Sequence, residues 1–313
     1  MIRRELVKAA IQHDKTECPP YFMEVCPEAW DKIKIVVGEM TQEEFIDNDV
    51  MDVPIPWWNW QDLGPEWSAL DPPASSRPKV TGLGSYQELI DFIKVSKNKC
   101  DKYLLARIYG SHFEKAYFSR GIENFLADMA GEPKFAHKLL NLIIEKNIVM
   151  LENFLAMPEI DGVLLGSDWG SQRDLLMSYD TWQNMIRPGE EKEYDLIHSY
   201  GKDVWVHSCG NVEKIIPSLI QMGVEVLNPI QPEAMDIYKL KKLYGDKLTF
   251  WGGISTQRTL PYGSPEDVKK EARDVRDVMS QHGGYIFSAA QSIQSDVPID
   301  NFLALLEIAR EKS

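Results

Sequence analysis

Residues 203–210 read Asp-Val-Trp-Val-His-Ser-Cys-Gly, a short apolar strand that runs out into His207 and Cys209. Side chains at i and i+2 leave a strand on the same face. The imidazole of His207 and the thiol of Cys209 are therefore expected side by side, where the chain turns at Gly210. A nitrogen and a sulfur donor together suit zinc. What the pair can do depends on where strand 204–208 sits in the fold.

Outward from that strand, short apolar runs alternate with longer amphipathic stretches. The pattern predicts strands over 21–25, 49–53, 103–109, 162–167, 204–208, 224–229, 248–252 and 285–289. Helical spacing is clearest over 85–99, 134–156, 179–200, 212–222, 265–282 and 299–312. Pro265, after Ser264 and before Glu266 and Asp267, is a good helix start with acids in the first turn. Eight strands, each followed by a helix or a long excursion, predict a single α/β domain over 1–313, a (β/α)8 TIM barrel with an N-terminal helix. A doubly wound open sheet is the alternative. It is weakened because no Gly-rich nucleotide fingerprint follows any strand. Residues 54–80 break the pattern with Trp57, Trp58, Trp60 and Trp67 among prolines, and are expected to form a loop over the barrel mouth.

Composition narrows the partners. The chain has 313 residues, 44% of them hydrophobic, and a net charge of −14, which argues against nucleic acid or an anionic membrane surface. No apolar run approaches the ~20 residues of a membrane span. The start, Met1-Ile2-Arg3-Arg4-Glu5-Leu6, lacks the apolar stretch of a secretory signal. With only Cys18, Cys26, Cys100 and Cys209 in so long a chain, a reduced, cytoplasmic setting is expected.

Barrel enzymes carry their chemistry at the C-terminal ends of the strands. Reading those ends gives Glu24, Tyr109, Asp168, His207 with Cys209, Asn228 with Gln231, and Gln291. Asp168, His207, Tyr109 and Glu24 are candidate proton donors or acceptors. A carboxyl beside Trp169 and away from water can hold a proton near neutral pH, although Asp168 could equally cap the following helix. Trp57, Trp58, Gln172, Asn228, Gln231 and Gln291 are candidate substrate contacts. His207 and Cys209 supply two metal ligands where a catalytic zinc normally takes three. Gln291 is a poor third beside a thiolate, so the metal set reads as incomplete.

The chain resembles the uroporphyrinogen decarboxylase superfamily over nearly its whole length. The carriers are Ser167-Asp168-Trp169-Gly170-Ser171-Gln172, the helical stretch with Trp182 and Pro188, and His207-Ser208-Cys209-Gly210. Val226-Leu227-Asn228-Pro229-Ile230-Gln231, Gly284-Tyr285-Ile286-Phe287 and Asp296-Val297-Pro298-Ile299-Asp300-Asn301 complete them. The resemblance implies a (β/α)8 barrel. The decarboxylases of the superfamily carry an arginine-rich N-terminal segment, whereas the matching stretch here, Tyr21-Phe22-Met23-Glu24-Val25-Cys26-Pro27, has none. Heme-pathway decarboxylation is therefore not expected.

The corrinoid-linked methyltransferase branch shares the His-x-Cys strand end and adds a later Cys, whose place is taken here by Gln291. That departure turns the expectation toward an O-demethylase methyltransferase. Such an enzyme would move methyl from an aryl methyl ether to the cob(I)alamin of a separate corrinoid protein. Acid assistance to the departing phenolate would be worth ~10²- to 10⁴-fold. The alternative is a zinc-dependent methylcobamide:thiol methyltransferase of the coenzyme M type.

Overall fold

Seven parallel strands are hydrogen-bonded in sequence order: β1 (Val50–Val53), β2 (Tyr103–Ile108), β3 (Gly162–Gly166), β4 (Asp203–His207), β5 (Val226–Ile230), β6 (Thr249–Ile254) and β7 (Tyr285–Ala289). They come from a computed structural model that describes residues 1–53, 55–56, 86–99, 101–108 and 110–311. The expected aromatic loop with Trp57 and Trp58, and also Tyr109, lie outside the described residues.

The sheet is a distorted barrel rather than the expected closed eight-stranded one. Among the described residues the predicted strand 21–25 makes two isolated bridges, Tyr21 to Phe287 and Val25 to Ile293. Its N–H groups are shared out: Phe22 N reaches Phe287 O and Cys26 N reaches Ile293 O, while those of Tyr21 and Met23 go to side chains. Side chains take over on the β1 side. Tyr21 N donates to Asp49 Oδ2 at 2.8 Å, and Asn48 exchanges two 2.8 Å bonds with the Met23 backbone.

Alternation along the strands divides the core in two. Val204 and Val206 of β4 join the large apolar layer between sheet and helices. Trp205 joins a smaller inner layer with Phe22, Val50, Tyr103, Leu105, Leu164, Val226, Trp251 and Ile286. Val7 and Ile11 of the Arg3–Ile11 helix belong to that inner layer. The helix itself lies at the N-terminal strand ends, bonded to Asp101 and Gly284. Phe22 stacks on Trp251 at 4.8 Å, and Trp251 Nε1 donates to Phe22 O, which ties the eighth segment to the wall. The inner layer fills the bottom of the fold, so only the C-terminal ends remain for chemistry.

Several expected helices are present with boundaries within a few residues: Tyr86–Lys99, Pro133–Leu155, Pro265–Met279 and Ile299–Arg310. Ser264 caps Pro265–Met279 through the Asp267 N–H, as its sequence suggests. The stretch 179–200 is not one helix. A π-helical turn, Trp182–Ile186, interrupts it before Arg187–Ser199. Pro188, which cannot donate to the carbonyl four residues back, sits at this break.

Candidate active site

His207 ends β4 on the inner face, two residues beyond Trp205 and opposite Asn228 of β5 in the register. Asn228 Nδ2 donates to Trp251 O at 3.3 Å, which turns its Oδ1 toward His207 Nδ1 at 2.6 Å. An amide oxygen can only accept, so Nδ1 carries the ring proton and Nε2 presents its lone pair. That lone pair faces Cys209 Sγ at 3.4 Å and Asp168 Oδ1 at 3.7 Å.

Asp168 reaches this point because two strand-end loops are zipped together. Ser167 N donates to His207 O and Asn211 N to Ser171 O, each at 2.7 Å, while Trp169 N donates to Ser208 Oγ. The loops pass so closely that a Cβ on Gly170 would lie 2.5 Å from Cys209 O. Gly210, at φ +81°, makes the matching turn on the other loop. Asp168 Oδ1 then accepts the Cys209 N–H at 2.9 Å.

The result is one oxygen, one nitrogen and one sulfur donor within 4.8 Å of one another, all half-buried. Burial, and then the Asp168 carboxylate, pushes the Cys209 thiol up to about 12. Gln291 Nε2, at 2.7 Å from the sulfur, pulls the other way. Such a thiol keeps its proton at neutral pH unless a metal cation replaces it. The donor set fits zinc, and three protein ligands leave a fourth position for substrate. Asp168, from the preceding strand end rather than a later one, stands where a third ligand would have to be.

The remaining candidates fall into three places. Glu24 is held by Arg107 at 2.6 Å, and Arg107 also meets Asp52 at 3.1 Å. The arginine that stretch 21–27 lacks is thus supplied to this mouth by another strand. An arginine is present two residues along β2 from inward-facing Leu105, and its charge is taken up by two acids. A cleft of about 520 Å³ opens beside them, lined by Phe22, Glu24, Asp52, Phe92 and Ser292. Gln172 and Gln231 form a reciprocal amide pair at 3.1 and 3.3 Å across the loops after β3 and β5. Asn228 is engaged with His207 and Trp251 rather than facing open space.

Sequence reading missed Arg107 and Glu114. Glu114, in the helix His112–Arg120, is buried and close enough to raise the Cys209 pKa. In the sequence both residues look like ordinary charges, one inside a predicted strand and one on an amphipathic stretch.

The sequence profile of the uroporphyrinogen decarboxylase (URO-D) family matches residues 74–312. The chain belongs to this family. It is 27% identical over 191 residues to a uroporphyrinogen decarboxylase of Chlorobium luteolum, an alignment covering 59% of this chain and 51% of that protein. It is 28% identical over 131 residues to the methylcobamide:CoM methyltransferase of Methanosarcina barkeri, covering 42% and 36%. The chain spans about half the length of the curated decarboxylases it matches. In fold, a methyltransferase from Methanosarcina mazei superposes over 99% of this chain and 98% of its own, with a TM-score of 0.71 at 16% identity. Among the described residues, no helix is long and apolar enough to cross a membrane.

Proposed function

We propose that this URO-D family member is a zinc-dependent methyltransferase that passes a methyl group from a methylcobamide, carried by a separate corrinoid protein, to a thiol. The observation that supports it is the convergence of Asp168, His207 and Cys209 on one point. The named activity of the Methanosarcina barkeri relative, a methylcobamide:CoM methyltransferase, points the same way. The aryl methyl ether reading rested on the barrel, a site without cationic anchors, the Trp loop and a missing third thiolate. Asp168 beside His207 and Cys209 weakens the last of these by offering a third donor.

Zinc bound here would take the thiol substrate at its fourth position and lower the thiol pKa toward neutrality. The chain's own residues prepare that place. Asn228 fixes the His207 tautomer so that Nε2 is the ligating nitrogen. Gln291 donates to the Cys209 sulfur and restrains its charge. Arg107 is taken up by Glu24 and Asp52 rather than offered to an anionic competitor. In the net reaction the methyl carbon bonds to sulfur, the cobalt–carbon electron pair stays on the corrinoid, and the thiol proton passes to solvent.

The test is methylcobalamin with a small thiol, followed by corrin absorbance and thioether formation. Turnover that stops on chelation and returns with zinc supports the reading. Chelator-insensitive turnover, or demethylation of guaiacol by cob(I)alamin with no thiol methylation, would overturn it.

A further inference from the structure

Behind β3, on the side away from the inner layer, a second group of donors is sealed among helices. His112, Glu190, Glu193, Ser111, Ser167 and Asn147 are all fully buried. His112 Nδ1 lies 3.3 Å from Glu190 Oε1 and 3.6 Å from Glu193 Oε2. Ser111 Oγ sits 3.2 Å from the same nitrogen, and 3.0 and 3.3 Å from the two carboxylates. The ring is held from its other side, where Nε2 meets Ile186 O at 3.1 Å. Only glycine fits at 189, because a Cβ there would lie 2.8 Å from His112 Nε2.

A carbonyl only accepts, so Nε2 carries a proton and Nδ1 turns its other valence toward three oxygens. Ser111 Oγ donates toward both carboxylates, and the two carboxylate oxygens beside Nδ1 draw positive charge between them, either a second ring proton or a cation. Asn147 Nδ2 satisfies Glu193 Oε1 at 2.7 Å, and Ser167 Oγ serves Glu190 Oε1 at 3.1 Å. Glu190 Oε2, fully buried, has no hydrogen bond among the described residues. Tyr194 Oη lies near enough to influence Glu190, yet it too completes no bond of good geometry. A buried carboxylate oxygen left without a partner costs several kcal/mol unless a proton or a cation meets it. Lys115, the other buried cation here, donates to Gly110 O and also acts on Glu193 and Glu190 from nearby.

We propose that His112 Nδ1, Glu190 and Glu193 form a second, closed site for a divalent cation of the zinc class. Tetrahedral zinc with bonds of about 2.0–2.1 Å sets its ligand atoms ~3.3 Å apart, close to the separations observed. Ser111 Oγ or the orphan Glu190 Oε2 completes the shell. The site has no opening for a substrate, so its role is structural. Ser167, which it holds through Glu190, is the residue before Asp168.

The double variant His207→Ala/Cys209→Ala removes the strand-end site, so its result stands whatever that site binds. Expressed with zinc and dialysed against a mild chelator, it should keep about one zinc per chain. X-ray absorption should show only nitrogen and oxygen neighbours, one of them imidazole. Adding Glu190→Gln, an isosteric change, should remove the zinc and the rise in melting temperature it confers. A double variant with no bound zinc overturns the proposal, even if the triple variant does not fold. So does a triple variant that retains the metal.

Discussion

The two donor clusters lie on opposite faces of the same strand ends and differ chiefly in access. Asp168, His207 and Cys209 are half-buried and mix three donor types. His112, Glu190 and Glu193 are fully buried and supply nitrogen and oxygen only. Exposure decides what each can do. The open cluster can admit a substrate and exchange a proton with water, whereas the sealed one can only hold charge and shape. On the roles proposed for them, chemistry and support are separated by one layer of sheet.

That contrast predicts opposite mutational signatures. At the open cluster, Cys209→Ala should lower methyl transfer by roughly 10³-fold, the loss of a Lewis-acid effect worth several kcal/mol. Its melting temperature should scarcely move, because the side chain is partly exposed. At the sealed cluster, Glu193→Ala removes the carboxylate that Asn147 and Ser111 bond. It should cost about 3–5 kcal/mol in chemical denaturation while the folded fraction keeps its activity per molecule. If Cys209→Ala unfolds the chain, or Glu193→Ala abolishes turnover in folded protein, the division of labour is wrong.

A smaller effect sharpens the comparison at the support of the open site. Asn228→Leu should weaken metal affinity at His207 by about 10- to 100-fold, and Asn228→Asp, which keeps an acceptor, should recover most of it. Equal losses in both variants, measured by competitive chelation, would mean that Asn228 only packs.

Much of this contrast could be read from the residues, but unevenly. His207 and Cys209 were legible because strand periodicity alone sets i and i+2 together. Asp168 was legible as a strand-end acid but not as their neighbour, since its approach depends on loop bonds such as Trp169 N to Ser208 Oγ. Seven predicted strands appear as regular strands, where long apolar runs meet two regular neighbours. Segment 21–25 does not, because the side chains of Asn48 and Asp49 take the backbone groups of Tyr21 and Met23 that a regular ladder would use. The sealed cluster was hidden for a different reason. His112, Glu190 and Glu193 lie on two helices about 80 residues apart, and charged helical residues ordinarily read as a solvated face.

The irregular seam gives the smallest prediction. Burial pushes Asp49 up to about 6, against the opposing pull of the Tyr21 N–H and Arg3. Its folded value lies above the ordinary carboxyl value of 3.8, so its contribution is full below pH 3.8 and is lost as pH rises through about 6. Over that window the wild type should lose roughly 1–2 kcal/mol relative to Asp49→Asn. Parallel stability curves for the two proteins would remove Asp49 from the account of the seam.

The most direct test of the open cluster is cobalt(II) substitution, read by the thiolate-to-metal charge-transfer absorption. The wild type should show the band of a single bound thiolate, lost in Cys209→Ser and weakened in Asp168→Asn. A wild type with no such band, or a band that survives Cys209→Ser, would contradict the metal centre on which the proposed activity depends.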